Sequence, residues 1–87
     1  MSARILIIED DHGIQESLRE LLRMEGYFVS SAVTGEAALD ILSEESVDLA
    51  LLDLHLAGSL SGEAVMREIR GRFSDTKVII LIIYVMK

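Results

Sequence analysis

Four apolar runs, each separated from the next by a stretch with helical periodicity, constrain the fold of this 87-residue chain more than any other feature. Residues 5–8 and 48–52 are nearly continuous in aliphatic side chains, which is typical of strands buried on both faces of a parallel sheet. A third run spans residues 27–32, and the last begins at Val78 and ends at Val85. This alternation predicts an α/β fold, with a mainly parallel sheet and helices on both of its faces.

The stretches between the runs also contain helix boundaries. Asp11 is a suitable N-cap for a first helix that Gly26 ends, and Ser61 is a suitable N-cap for a third helix after a loop over residues 54–61. A shorter second helix is expected over residues 36–42. The side chains expected to face the core are Ile14, Leu18, Leu21 and Leu22 in the first helix, Ala38, Ile41 and Leu42 in the second, and Val65, Met66, Ile69 and Phe73 in the third.

Acidic residues follow two of the apolar runs at the point where each strand should end. Glu9, Asp10 and Asp11 come directly after the run over residues 5–8, and Asp53 comes directly after the run over residues 48–52. Ligands of open α/β sheets bind at the carboxyl ends of the strands, so neighbouring first and third strands would bring Glu9, Asp10 and Asp53 into one crevice. Carboxylates that close repel one another, and a bound cation relieves the repulsion. Hard oxygen ligands of this kind favour Mg²⁺.

A cation at this position also prepares the site for phosphoryl transfer. Mg²⁺ neutralises charge on an incoming phosphoryl group, and a carboxylate at a strand tip, Asp53, can attack it to form an acyl phosphate. The plainer alternative is that the acids after the first strand only cap the first helix, and it applies most strongly to Asp11. The imidazole of His55 is a poor candidate for a metal ligand, because no second His or Cys lies at ligand spacing.

Composition excludes several other classes of function. The net charge of -7 argues against nucleic-acid binding by this chain, and the absence of cysteine excludes disulfides and fits a cytoplasmic location. The last apolar run is shorter than the roughly 20 residues of a membrane-spanning helix, and the N-terminus does not have the pattern of a signal peptide. No glycine-rich phosphate loop or nucleophile elbow is present, so we do not expect an enzyme or a nucleotide binder.

Residues 5–11 (ILIIEDD) and 47–54 (VDLALLDL) resemble the receiver domain of two-component response regulators, and the resemblance extends over the whole chain, residues 1–87. It implies a flavodoxin-like (CheY-like) three-layer αβα fold with strand order 2-1-3-4. It further implies that Asp53 accepts a phosphoryl group from a histidine kinase in a phosphorelay. Glu9 and Asp10 would hold Mg²⁺ together with Asp53 and the backbone carbonyl of His55. Regulation of transcription is a common context for this family.

The chain departs from the family pattern near the implied site. Ala57 stands where the family usually has proline, and the segment from Asp53 to Gly62 is about one residue longer than usual, so a looser loop is expected. Ile82 stands where the family has a Thr or Ser that bonds the phosphoryl group, and isoleucine cannot donate a hydrogen bond. These departures keep open a second function, a degenerate receiver that binds or dimerises without phospho-switching.

The resemblance also implies that a complete receiver continues beyond Lys87, through a helix, a fifth strand and a last helix. The domain over residues 1–87 is therefore expected to be incomplete at its C-terminus, with natural truncation and a cloning or assembly artefact both open. The strand from Val78 to Val85 would then be an uncovered edge without charge or proline. This predicts a homodimer in which the last strands pair or exchange across a two-fold axis.

Overall fold

The computed structural model describes residues 2–82, which form a parallel sheet with helices on both faces. The elements in chain order are β1 (Arg4–Ile8), α1 (His12–Met24), β2 (Phe28–Ala32), α2 (Gly35–Glu44), β3 (Leu49–Asp53), α3 (Gly62–Arg72) and β4 (Lys77–Leu81). The strand order is β2-β1-β3-β4, and all three strand pairs are parallel. The predicted fold class and strand order are therefore confirmed.

Strand β1 lies at the centre of the sheet and separates two apolar cores. Leu6 and Ile8 enter the larger core, which α2 and α3 cover, whereas Ile5 and Ile7 enter a smaller core against α1. All four side chains are at most 3% exposed. Burial of each such side chain contributes about 1.5–3 kcal/mol to folding, so this strand is a main source of stability. Its carboxyl end is correspondingly well fixed.

The predicted boundaries of α1 are confirmed by its hydrogen bonds. The side chain of Asp11 accepts a bond from the amide of Ile14 at 2.9 Å, which caps the first turn. Gly26 has a φ of 91°, a left-handed conformation that glycine adopts without strain, and its amide donates to the carbonyl of Arg23 at 2.9 Å. The chain therefore turns sharply out of α1 and into β2.

One predicted core side chain of α1 is wrong. Leu21 is 61% exposed, whereas Leu18 and Leu22 pack against the smaller core. Leu21 lies about 100° around the helix axis from Leu22, so both cannot face the sheet together. The residue that α1 buries instead is polar, Gln15. The inward side chains predicted for α2 and α3 are confirmed as buried or as partly buried members of the larger core.

The last strand is shorter than predicted within the described residues. Strand β4 ends at Leu81, which lies opposite Asp53, and Ile82 follows the strand. The reason is that β3 itself ends at Asp53 and turns into a loop, so Ile82 has no β3 residue to pair with. The rest of the predicted strand, residues 83–85, lies outside the described residues. In the described sheet β4 is an edge strand, and its Ile79 is 50% exposed.

The first residue of α3 must be glycine because the helix begins against the end of β3. A Cβ atom at Gly62 would lie 2.6 Å from both the carbonyl oxygen of Asp53 and the Cα of Leu54. Both of these are backbone atoms, which cannot rotate away. Gly62 therefore allows α3 to approach the strand tip that carries Asp53.

We predict that Gly62→Ala destabilises the protein by about 1–3 kcal/mol, because the new methyl group forces a backbone shift in a packed region. Gly71→Ala is the matched control on the same helix, since no atom lies within 4 Å of a Cβ at that position. The control should be neutral or gain up to about 1 kcal/mol from helix propensity. Urea unfolding of both variants checks the prediction, and equal stabilities would contradict the packing argument.

Candidate functional site

Three carboxylates converge at the carboxyl edge of the sheet. Glu9 follows β1 and Asp53 ends β3, and these strands are neighbours with Ile8 opposite Leu52. One oxygen each from Glu9, Asp10 and Asp53 lie within 4.8 Å of one another. The predicted convergence of these residues is therefore what the structure shows.

A backbone amide holds one oxygen of each carboxylate. The amide of Asp11 donates to Oε1 of Glu9 at 3.2 Å, and the amide of His55 donates to Oδ1 of Asp53 at 2.9 Å. The amide of Ala57 donates to Oδ2 of Asp10 at 3.0 Å. Each side chain is thereby oriented by the main chain and can offer its second oxygen to a ligand.

The buried carboxylate is Glu9, which is 2% exposed. Its Oε2 is buried and has no hydrogen-bond partner among the described residues. Burial raises the pKa of Glu9 to about 7, and the hydrogen bond that a protonated Glu9 would donate to the Asp53 carboxyl raises it too, against the lowering effect of the Asp11 amide. The negative charges of Asp53 and Asp10 raise it further. A buried polar atom without a partner is costly, and a cation bound between the carboxylates would provide one.

The donor set fits Mg²⁺ in its chemistry. All three groups offer carboxylate oxygens, and Mg²⁺ in proteins takes a few such ligands and keeps several waters. Within the described residues this is the group of acids whose ligand atoms are close enough to hold a cation together. The unpartnered oxygen of Glu9 is the structural sign that the site suits a cation rather than an apolar ligand.

The loop after β3 is tied down at two points. Besides the bond from Ala57 to Asp10, the hydroxyl of Ser59 donates to Oε1 of Glu36 at 3.3 Å, which links the loop to the start of α2. Proline has no amide proton, so the first of these bonds is available only because position 57 is not proline. These bonds argue against the looser loop that the sequence predicts.

The remaining predicted site residues lie at the same edge. His55 is exposed and contributes its amide to Asp53, while the role of its carbonyl as a metal ligand remains a prediction. Ile82 follows directly after Leu81, the partner of Asp53 in the β3–β4 register, and is 60% exposed. Its role as the substituted switch position remains a prediction.

Sequence reasoning missed two contributors to the site. The Ala57 amide has no side-chain signal, and only the replacement of the family's proline hints at a free donor. Gln15, whose amide bonds the carbonyl of Glu9, is polar and so does not belong to the apolar pattern that marks the inner face of α1. Both act as hydrogen-bond donors, which the pattern of apolar residues does not reveal.

Comparison with known proteins identifies the family to which this fold belongs. The family model described as the response regulator receiver domain matches residues 5–86. The chain is 38% identical over 81 residues to the response regulator MprA of Mycobacterium tuberculosis, covering 93% of this chain and 35% of that protein. It is 36% identical over 84 residues to sporulation initiation phosphotransferase F of Bacillus subtilis, covering 97% of this chain and 67% of that protein.

Two solved structures extend the comparison. The response regulator TrrA of Thermotoga maritima, in complex with Mg(2+)-BeF, superposes with a TM-score of 0.83 at 40% identity, over 90% of this chain and 67% of that one. TrrA in complex with the histidine kinase ThkA gives a TM-score of 0.85 at 39% identity, over 97% of this chain and 72% of that one.

The chain is thus an α/β receiver with an acidic pocket at the carboxyl edge of its sheet. It belongs to the response regulator receiver domain family of two-component signalling proteins. It spans about a third of the length of the MprA relatives it matches. Over residues 2–82, none of the helices has the length and apolar character needed to cross a membrane.

The raised pKa of Glu9 predicts the pH dependence of stability in the metal-free protein. Between its ordinary value of 4.5 and about 7, folded Glu9 keeps a proton that the unfolded chain has lost. The contribution of Glu9 to the free energy of unfolding is therefore fully present below pH 4.5. It is lost as the pH rises through about 7, which lowers the free energy of unfolding by on the order of 3 kcal/mol.

The measurement is the free energy of unfolding in EDTA across this range, compared with Glu9→Gln, which removes the titrating group. Relative to the wild type, the variant should gain stability as the pH rises from 4.5 to 8. A constant difference between the two proteins would contradict the assignment of the raised pKa to Glu9.

Proposed function

We propose that this chain is a phosphoacceptor module of a two-component phosphorelay, in which Asp53 receives a phosphoryl group with Mg²⁺ bound beside it. The observation that carries the proposal is the approach of ligand oxygens from Glu9, Asp10 and Asp53 within 4.8 Å at the end of the sheet. These three residues, with the backbone carbonyl of His55, would hold the metal. The match of residues 5–86 to the receiver family supports this assignment.

The chemistry assigns a separate task to each side chain. Bound Mg²⁺ would neutralise negative charge on the incoming phosphoryl group. The His55 amide holds Oδ1 of Asp53 and so fixes the orientation of the carboxylate, one oxygen of which would attack phosphorus. The new O–P bond forms as the bond from phosphorus to the donor breaks, and the donor leaves with the electron pair. Glu9 must give up its proton for the cation to bind, since only the carboxylate is a metal ligand.

The proposed donor is the phosphohistidine of a histidine kinase. Support comes from the structural similarity to TrrA, which has been solved both with Mg(2+)-BeF and with the kinase ThkA. In this role the chain is a signalling module and not an enzyme. We further propose a cytoplasmic location without membrane attachment. The net charge of -7 supports a module that does not bind nucleic acid itself, even where its pathway regulates transcription.

One observation favours a second function, a receiver that binds the cation but does not switch. Ile82 lies beside the Asp53 end of the sheet and is 60% exposed, and its side chain offers no hydrogen bond to a phosphoryl group. Phosphorylation of Asp53 would then create no hydrogen bond between the phosphoryl group and position 82, and β4 would not be drawn toward the site. Such a chain would act through the partners it binds.

We also propose a homodimer through the edge strand β4. In the described sheet the outer edge of β4 is unpaired and Ile79 is half exposed, which leaves both backbone groups and apolar surface for a partner. A second copy presents the same strand, so the two can pair across a two-fold axis. The predicted partner segment, residues 78–85, extends beyond the described residues.

The phosphorylation proposal predicts a covalent adduct with a small donor. Incubation with acetyl phosphate and Mg²⁺ should add the mass of one phosphoryl group, measured on the intact protein, and the adduct should be labile at high pH as acyl phosphates are. Asp53→Asn should show no adduct, and Asp10→Asn should show much less because a metal ligand is lost.

Asp40→Asn is the matched control, since Asp40 is an exposed acid on α2 away from the pocket. Its adduct should equal that of the wild type. Absence of an adduct on the wild type at millimolar donor would reject the phosphoacceptor function and leave the non-switching binding module.

The dimer proposal predicts the effect of a charge on β4. Ile79→Glu should convert the dimer to a monomer in sedimentation at micromolar concentration, because like charges would meet at the strand pair. Phe28→Glu is the matched control, since Phe28 is a 59% exposed apolar residue on the opposite edge strand β2. A monomeric wild type, or equal dissociation of both variants, would reject an interface at β4.

A further inference from the structure

Gln15 is a buried polar residue in contact with the backbone behind the acidic pocket. It is 8% exposed, and its side-chain nitrogen donates to the carbonyl oxygen of Glu9 at 3.0 Å and to that of Ala32 at 3.3 Å. A single amide group thus links α1 to the carboxyl ends of two neighbouring strands. Among the described residues the Gln15 side chain donates to backbone carbonyls and to no carboxylate oxygen, so its influence on a ligand would pass through the main chain.

Hydrogen bonds hold the peptide units on both sides of Glu9, and one of these bonds comes from Gln15. The amide of Glu9 donates to the carbonyl of Ala32 at 3.1 Å, and its own carbonyl accepts from Gln15. Both backbone groups of this residue are therefore held at the point where the chain leaves β1. The carbonyl of Glu9 belongs to the peptide unit that continues to Asp10, so the bond from Gln15 also limits rotation of that unit.

We propose that Gln15 is a positioning residue that keeps the carboxylates of Glu9 and Asp10 at the spacing Mg²⁺ requires; this inference rests on the metal site proposed above. Mg²⁺ demands near-octahedral geometry with short ligand distances, whereas Ca²⁺ accepts longer and more variable ones. A backbone held on both sides of Glu9 favours the smaller ion. Selectivity for Mg²⁺ over Ca²⁺ is therefore the property that depends on Gln15.

The residue type suits this task. A neutral amide supplies two protons from one nitrogen and can reach two carbonyl oxygens, as it does here. A Lys or Arg could donate to the same carbonyls, but its positive charge would oppose a cation in the pocket. A purely structural role would predict instead that loss of Gln15 lowers stability and weakens both ions by the same factor.

The test compares the affinities of Gln15→Met and the wild type for Mg²⁺ and Ca²⁺ by calorimetric titration. Methionine keeps the approximate size and removes the donor. We expect Mg²⁺ binding to weaken about tenfold, the lower end of the effect of residues that orient metal ligands, and Ca²⁺ binding to weaken clearly less. Gln15→Lys restores a donor, so it should recover the Mg²⁺ to Ca²⁺ ratio even though both affinities fall.

Leu22→Ala is the control for a general loss of stability, because Leu22 packs against the smaller core at the far end of α1 from the pocket. It should lower the unfolding temperature and leave the Mg²⁺ to Ca²⁺ ratio unchanged. An unchanged ratio in Gln15→Met, or the same ratio change in Leu22→Ala, would overturn the positioning role.

A metal-free measurement separates this inference from the metal site itself. In EDTA, exchange of the Glu9 amide proton should accelerate in Gln15→Met more than exchange of amides in the centre of β1. If the wild type bound no Mg²⁺, the metal site would be rejected, and faster Glu9 exchange would still support the ordering of Glu9 by Gln15. Unchanged Glu9 exchange would overturn that ordering as well.

Discussion

The site depends on the burial of one carboxylate, Glu9, at the end of the central strand. The strand is held by apolar packing on both faces, and Glu9 is carried into the protein as its next residue. Its free oxygen has no partner among the described residues, and Asp10 and Asp53 add negative charge nearby. In the metal-free protein this arrangement opposes ionisation, which the raised pKa of Glu9 reflects. A bound cation would offset this repulsion, which is why the proposed function places Mg²⁺ here.

The rest of the structure keeps the acids at this spacing. The parallel register of β1 and β3 brings the two strand ends to one edge, and Gly62 lets α3 begin against the tip of β3. Backbone amides then orient the carboxylates, one of them from Ala57 in the loop after β3. Orientation by the main chain places little demand on side-chain packing, so Asp10 and Asp53 can stay partly exposed.

Much of the fold could be predicted from the sequence, because apolar runs and helix caps report directly on strands and helix ends. The alternation of strands and helices, the caps at Asp11 and Ser61 and the turn at Gly26 are all present. The acids of the pocket were predictable for the same reason, since residues that follow neighbouring parallel strands must meet. The wrong burial of Leu21 and the overlong last strand come from quantities that one sequence does not contain: the rotation of α1 on the sheet, and the length of β3 beside β4.

The site contacts that escaped prediction are hydrogen bonds to the backbone. Neither the hydrogen bond of the Ala57 amide nor the two hydrogen bonds of Gln15 can be predicted from hydrophobic periodicity. The first depends on the path of a loop, and the other two depend on the rotation of a helix. Their effect is on the geometry of the pocket and not on its composition. The proposed function therefore depends on the acidic residues, which would supply the ligand atoms, and on Ala57 and Gln15, which fix the positions of those residues.

The most direct test of the account is a Mg²⁺ titration of the ¹⁵N-labelled protein followed by its amide resonances. A metal site at the three carboxylates predicts saturable shifts centred on the amides of Asp11, His55 and Ala57, which hold them, with small changes at the opposite edge of the sheet. Absence of saturable shifts at millimolar Mg²⁺, or shifts centred on the exposed acids of the helices, would contradict a metal site at Glu9, Asp10 and Asp53.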